Sequence, residues 1–302
     1  MHKSVLLDEA INYLDIKEDS IIVDCTLGYA GHSSEILRRI PKGHLYSFDQ
    51  DSEAIKYSKN KLSSIRDNFT IIKSNFVNIK EELKKIGITK VDGILYDLGV
   101  SSPQLDEDYR GFSFHKQAKL DMRMNQEQSL SAYNVVNEYS EKELSDIIFK
   151  YGEEKFAKKI AQSIVKNRPI NTTMELVEVI KSAVPMKYKK DHHPARKTFQ
   201  AIRIEVNNEL EVFENSLKDA LELINKDGRI CVITFHSLED KICKNIFKSV
   251  SSIKAELKDL PVIPKEYEPK YKLVKTLSPS NEEVSKNPRA RSAKLRVIKR
   301  ID

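Results

Sequence analysis

Tryptophan is absent from this chain of 302 residues, and glycine (9) and proline (10) are scarce. A chain so poor in turn-forming residues is neither collagen-like nor a low-complexity linker. Cysteine is nearly absent too: Cys25, Cys231 and Cys243 stand far apart, and no C-x-x-C pair occurs. That spacing excludes a disulfide framework or a zinc knuckle and suits a reducing compartment, with the three thiols as ordinary small side chains. No apolar run approaches the roughly 20 residues that a membrane helix requires, and Met1 to Glu9 lacks the apolar stretch of a signal peptide. The expectation is a soluble, cytoplasmic protein. His192-His193 has no further ligands at metal spacing, so no metal site is expected.

What is present is a packed chain with a mild cationic bias. Hydrophobic residues make up 40%, enough for a core, and the formal net charge is +6, a weak pull toward polyanions. Position says more than total. Lys286, Arg289, Arg291, Lys294, Arg296, Lys299 and Arg300 follow one another with no acid between them, and Lys187, Lys189, Lys190, Arg196 and Lys197 form a second run. Each run reads as a solvated face or as a nucleic-acid contact.

Strand and helix patterns alternate over the first hundred residues. Ile21–Cys25, His44–Asp49, Phe69–Ile72 and Val91–Tyr96 read as strands, and His32–Ile40, Glu53–Leu62 and Lys80–Lys85 as helices. Such alternation implies right-handed βαβ units and a parallel sheet, an α/β fold. Past Asp97 the pattern changes. Residues 101–120 read as an irregular loop, and three helices follow, two of them opened by the capping boxes Ser140-x-x-Glu143 and Thr172-x-x-Glu175. The division expected is a core of 1–105 with 197–302, and a helical insertion at 106–196, longer than an ordinary loop. Apolar residues from Phe199 to Ile224 step by three and four, predicting one long helix closed by Asp227-Gly228. Arg229–Phe235 is a fifth strand, Ser237-x-x-Asp240 a weaker cap, and Leu273-Val274 with Leu295–Ile298 a terminal hairpin.

The segment from Asp24 to Ser33 joins the first strand to the first helix. Open α/β sheets bind ligands outside the carboxyl ends of their strands, and the small residues Gly28, Ala30 and Gly31 allow close approach there. Gly28 and Gly31 do not give the G-x-G-x-x-G spacing of a dinucleotide site. A plain tight turn remains the alternative. Asp49 closes the second strand, where an acid accepts ribose hydroxyls or caps a helix. Phe76 either contacts adenine or packs in the core.

Asp97-Leu98-Gly99-Val100-Ser101-Ser102-Pro103-Gln104 is the most specific run. With it, the chain resembles the bacterial ribosomal RNA small-subunit methyltransferase H family over nearly its whole length. The resemblance also rests on His2–Leu6, Gly28–His32, Arg110–Phe114, Asp121–Met124, His193–Ala201, Phe235–Asp240 and Asn287–Arg296. It implies a Rossmann-like class I methyltransferase sheet and transfer of a methyl group from S-adenosyl-L-methionine to the exocyclic N4 of a cytidine in 16S ribosomal RNA, near the decoding centre. It implies cofactor contacts at Ala30, Gly31, His32, Asp49, Phe76, Asp97 and Gln104. Ala30 departs from the many relatives that carry Gly; its methyl is tolerated unless φ there is positive.

The N4 amine is a weak nucleophile because its lone pair is delocalised into the ring. An acceptor on its hydrogens draws that pair out and takes a proton. Asp97 is the candidate catalytic residue, or else it binds cofactor only; the Pro-Pro-aromatic run of other amino-methyltransferases does not follow it. The target base must leave its stack. Tyr109, Phe112 or Phe114 can support it, or pack the insertion instead. Arg110, Arg123, Arg196, Arg289 and Arg291 are candidate phosphate ligands, and His236 lines the site or is structural. The expected partner is small-subunit ribosomal RNA within a partly or fully assembled particle. The competing readings are an NAD-dependent oxidoreductase and a non-catalytic rRNA assembly factor.

Overall fold

The structure, a computed structural model, describes residues 4–101, 104–105, 107–191, 193–253, 264 and 267–302. Met1, His2, Lys3, Ser102, Pro103 and His192 lie outside the described residues, and of Lys189 and Lys190 only the backbone is described. The chain divides into two compact units, one of 1–99 with 210–302, the other Val100–Glu209.

In the first unit β1 (Ile21–Asp24), β2 (His44–Asp49), β3 (Phe69–Lys73), β4 (Val91–Asp97), β5 (Ile224–Thr234), β6 (Tyr271–Leu277) and β7 (Lys294–Arg300) form one sheet, in the order β3-β2-β1-β4-β5-β7-β6. The first five run parallel, while β7 is antiparallel to β5 and β6. The direction of the chain reverses on either side of β1, since β2 lies on one flank and β4 on the other. That is the switch point at which open α/β sheets leave a crevice. The interior strands are apolar runs because both faces are covered. On one face, α1 (Leu7–Leu14), α2 (Gly31–Arg39) and α3 (Ser52–Ser63) pack Ile11, Leu37 and Leu62 against Ile22, Leu45 and Leu95. On the other, α4 (Ile79–Lys85) and two later helices, Glu209–Leu223 and Ser237–Ser251, bring Leu83, Phe213 and Phe247 against Val23, Ile94 and Val232.

Gly43 immediately precedes β2, beside the residue that leads into β1. A Cβ there would sit 2.0 Å from the Ser20 carbonyl oxygen, and backbone cannot swing aside as a side chain can. Gly43→Ala is therefore expected to cost about 3 kcal/mol, the upper end for overpacking. The urea-unfolding midpoint measures it, and an unchanged midpoint refutes the reading.

The second unit is helical. It contains α5 (Ala132–Glu138), α6 (Glu141–Gly152), α7 (Ala157–Lys166), α8 (Thr173–Ala183), α9 (Met186–Asp191) and α10 (Arg196–Asn207). Ser140 and Thr172 cap α6 and α8 as the sequence predicts. Leu144, Ile148, Ile160, Ile164, Leu176 and Ile180 build a separate core with Phe199 and Ile202. A short 3-10 turn, Asp108–Arg110, interrupts the stretch expected to be irregular.

Three expectations need correction. The single helix expected from Phe199 to Ile224 is two, α10 and α11 (Glu209–Leu223), because Asn208 takes a left-handed conformation (φ 48°) that no α-helix continues through. Apolar spacing runs on across the break and so conceals it. The second helix ends at Leu223 and not at Asp227-Gly228, which lie within β5. The last long helix, α12 (Ser237–Ser251), has His236 at its N-cap in place of Ser237, with Glu239 as the third residue. Among the described residues, α13 (Asn281–Lys286) and a 3-10 turn, Pro288–Ser292, precede β7. No helix among the described residues is long and apolar enough to cross a membrane.

Candidate active site

Burial of one acid shapes the loop after β1. Asp24, 1% exposed, accepts from the Thr26 amide (3.0 Å) and from Ser33 Oγ (2.6 Å). Both donors come from the loop and helix that follow, so the carboxylate folds them back over the strand end. Burial raises the Asp24 carboxyl above its ordinary range, against the pull of Ser33 and His32. Ser58 Oγ of α3 and Lys61 Nζ then donate to the carbonyls of Gly28 (2.7 Å) and Tyr29 (3.0 Å).

Two hydrogen bonds join the three strand ends. The Gly28 amide donates to Asp49 Oδ2 at 2.8 Å, tying the β1 loop to β2. The Asp97 amide donates to Thr26 Oγ1 at 2.7 Å, tying the same loop to β4. Gly28, Ala30, Gly31, His32, Asp49 and Asp97 thus converge on one edge of the sheet. Gly28 (φ 47°) and Ala30 (φ 55°) are both left-handed. The condition under which Ala30 is costly is met: a Cβ in that conformation carries about 1 kcal/mol of strain. At Gly31 a Cβ would fall 1.9 Å from Ser4 Oγ, so the space beside this backbone is taken up by the Ser4 side chain.

Asp49 uses Oδ1 to accept from the Asp51 amide (2.9 Å). Burial pushes its carboxyl up to about 6, with the Asp51 and Gly28 amides pulling the other way. Each of its oxygens retains a further lone pair for a hydroxyl donor.

His32 is 4% exposed, and its Nδ1 lies 3.4 Å from Asp97 Oδ2. Burial alone would lower its pKa; the hydrogen bond and charge of Asp97, together with Asp24, outweigh that and leave it raised. His32 Nε2 and Asp97 Oδ1 are buried without a hydrogen-bond partner among the described residues. Such orphans are rare in native proteins and mark places where a ligand completes the bonding. A donor suits Asp97 Oδ1, and a polar group of a ligand suits His32 Nε2. The methionine end of the expected cofactor offers such a group to His32, which leaves Asp97 Oδ1 open to a further donor.

Phe76 sits on the 3-10 turn after β3, edge-on to Tyr96 at 5.7 Å, and its carbonyl accepts from Ser216 Oγ at 2.8 Å. Gln104 belongs to the helical unit, where its side chain accepts from the Ser101 amide at 3.0 Å.

The residues expected at RNA fall into two groups. Arg110 is 2% exposed and donates to the carbonyls of Arg123 (3.0 Å) and Met124 (3.4 Å), a brace and not a phosphate ligand. Arg123 pairs with both oxygens of Asp121 at 2.8 Å, and Phe112 lies in the helical core. Arg196, Arg289 and Arg291 are exposed. Tyr109 is 57% exposed, and Phe114 stacks on His193 at 4.5 Å. His236, at the N-cap of α12, holds Nε2 3.1 Å from Glu239 Oε1. Sequence reasoning passed over Thr26 and Ser33 as site residues. The D-x-T spacing of an Asx turn was the available signal, and it says nothing about which distant strand the threonine reaches.

Known proteins similar to the chain extend over nearly its whole length. The chain is 54% identical over 306 residues to the ribosomal RNA small subunit methyltransferase H of Exiguobacterium sibiricum, covering 99% of this chain and 98% of that one. It is 55% identical over 305 residues to the protein of that name from Mycoplasma mycoides, covering 99% of each. The counterpart in Finegoldia magna is 52% identical over 307 residues, with 99% and 98% covered. Among solved structures, an rRNA methylase from Streptococcus thermophilus superposes with a TM-score of 0.46 at 10% identity, over 100% of this chain and 99% of that one. The profile of the MraW methylase family matches residues 1–301, and the chain belongs to that family.

Proposed function

We propose that this chain transfers a methyl group from S-adenosyl-L-methionine to the exocyclic N4 of one cytidine in small-subunit ribosomal RNA. It is a class I, S-adenosylmethionine-dependent methyltransferase of ribosomal RNA; the atom and base are the finer part of the reading. The observation that carries it is the pair of unpartnered buried atoms, Asp97 Oδ1 and His32 Nε2, at the carboxyl ends of β4 and β1. When bound, the cofactor supplies an electrophilic methyl group. The chain's own residues bind, orient and accept a proton. Asp49 receives the ribose hydroxyls, and Gly31 belongs to the loop that cradles the methionine end. His32 Nδ1 holds Asp97 by Oδ2 and leaves Oδ1 to accept a hydrogen of the N4 amine. As the N–C bond forms, Asp97 takes the proton that leaves nitrogen. Phe76 flanks the adenine, and Gln104 is a further cofactor ligand.

The helical unit, expected over 106–196, is the proposed RNA-recognition domain, with Arg196 among its phosphate ligands. Arg289 and Arg291 serve the same end on the sheet domain. The substrate is the RNA within a partly or fully assembled subunit, and the setting is the cytoplasm.

The test is nucleoside mass spectrometry of small-subunit RNA from cells with and without this protein. Loss of one N4-methylated cytidine is the expected result. An identical set of methylated nucleosides in both strains would reject the reading.

A further inference from the structure

A cavity of about 490 Å³ opens beside the carboxyl end of β5, walled by the start of α12 and by the turn before β7. It lies wholly within the sheet domain. Lys241, Lys244 and Asn245 line it from α12, and Ser292 and Lys294 from the opposite wall. Lys241 and Lys244 are three residues apart, so they share one face of the helix, and both are exposed. The one acid among the lining residues, Asp240, is already neutralised: Lys294 reaches it at 3.0 Å and Arg296 clasps both its oxygens at 2.7 and 3.0 Å. That pairing holds its carboxyl below the ordinary range, although burial pushes the other way. Counting Asp240 against Lys241, Lys244 and Lys294, the lining carries two uncompensated positive charges.

The helix end itself contributes little to this field. Buried Glu239 accepts from the Phe235 amide (2.7 Å) and the His236 amide (3.3 Å), so the first turn already has its anion. The lysines carry the attraction. Placement gives it meaning. Ile233 pairs with Asp97 across the β4–β5 ladder, and the cavity begins at Thr234, one residue further along. It therefore opens on the edge of the sheet where the cofactor residues gather. His236 also lines it, 10% exposed by its side chain, with its Nε2 held 3.1 Å from Glu239 Oε1. Arg291 stands on the turn that supplies Ser292.

We infer that this cavity seats a phosphodiester group of the RNA substrate, held by Lys241 and Lys244 across from Ser292. The inference rests on the RNA methyltransferase reading and adds to it a site for the backbone next to the extruded base. Two ammonium groups without acid partners among the described residues suit a phosphate, which offers several acceptor oxygens and a full charge. Lys294 stays with Asp240 and shapes the wall.

The experiment compares the parent protein with Lys241→Ala/Lys244→Ala in binding to small-subunit RNA over a range of salt concentrations. Both side chains are exposed, so folding should persist, and the affinity for S-adenosylhomocysteine, measured by calorimetry, should match the parent. The expected result is about tenfold weaker RNA binding, and a salt dependence whose slope is lower by about 1 to 2. Lys17→Ala/Lys42→Ala serves as control; those lysines lie at the amino ends of β1 and β2, in exposed ion pairs, and should leave both quantities unchanged. A double variant in the cavity with the parent's slope and affinity overturns the inference. A parent that binds cofactor yet methylates no small-subunit RNA overturns the functional reading instead, whatever the lysine variants do.

Discussion

Asp97→Asn is expected to slow methyl transfer by about two to four orders of magnitude while changing cofactor affinity less than tenfold. The substitution keeps shape and removes charge. In the parent, His32 binds Oδ2 from one side and Oδ1 waits without a partner. An amide there cannot take the proton that leaves the amine, and without its charge it holds the His32 imidazole more weakly. The size follows from the usual contribution of one positioned general base. Single-turnover rates at saturating cofactor, set beside a separate calorimetric Kd, measure it. If affinity fell with the rate constant untouched, Asp97 would be a cofactor ligand only; if neither moved, it would leave the mechanism.

Asp49→Ala should weaken S-adenosylhomocysteine binding by about a hundredfold or more, since two hydrogen bonds to a charged acceptor are lost at roughly 1.5 to 3 kcal/mol each. The loop suffers as well, because the Gly28 amide loses its acceptor. The parent protein carries a matching pH signature. With the Asp49 carboxyl pushed up to about 6, ribose hydroxyls meet a full carboxylate only above that value. Affinity should hold steady from pH 8 to 7 and fall about tenfold between pH 7 and 5. Stability of the ligand-free protein should respond in the opposite sense. The folded state binds this proton more tightly than the unfolded chain does, so this group stabilises the fold as pH drops from about 6 toward 4. A flat affinity profile across that window would remove Asp49 from the ribose site.

Local signals were legible where neighbours in sequence are neighbours in space. The strands β1 to β4 show as apolar runs and the helices between them as three-and-four spacing. Ser140 and Thr172 cap the helices that their serine, threonine and glutamate spacing announces. Less visible was α1, only eight residues long. In β6 the exposed lysines of an edge strand break the alternation that marks a half-buried one. Asn208 splits a helix whose apolar rhythm never falters.

The candidate site divides the same way. Residue types were readable: a carboxylate closing β2, another closing β4, and small residues after β1. The bonds that assemble them were not. Gly28 finds Asp49 across 21 residues, and Thr26 finds Asp97 across 71. Arg110 reads as a phosphate ligand in its motif, yet the chain returning through Arg123 and Met124 turns two carbonyls toward it and buries it.

By itself, then, the amino-acid order determined the alternation of strands and helices, and with it a parallel sheet whose strand ends carry the acids. Periodicity is a property of neighbouring residues, and it survives in the sequence. Tertiary structure alone decided that His32 lies against Asp97, that Ala30 accepts a left-handed backbone, and that Asp240 is silenced by Arg296 and Lys294 so that Lys241 and Lys244 remain uncompensated. Each of these depends on which distant segments meet and on how much water their meeting expels, and neither quantity is written in local order.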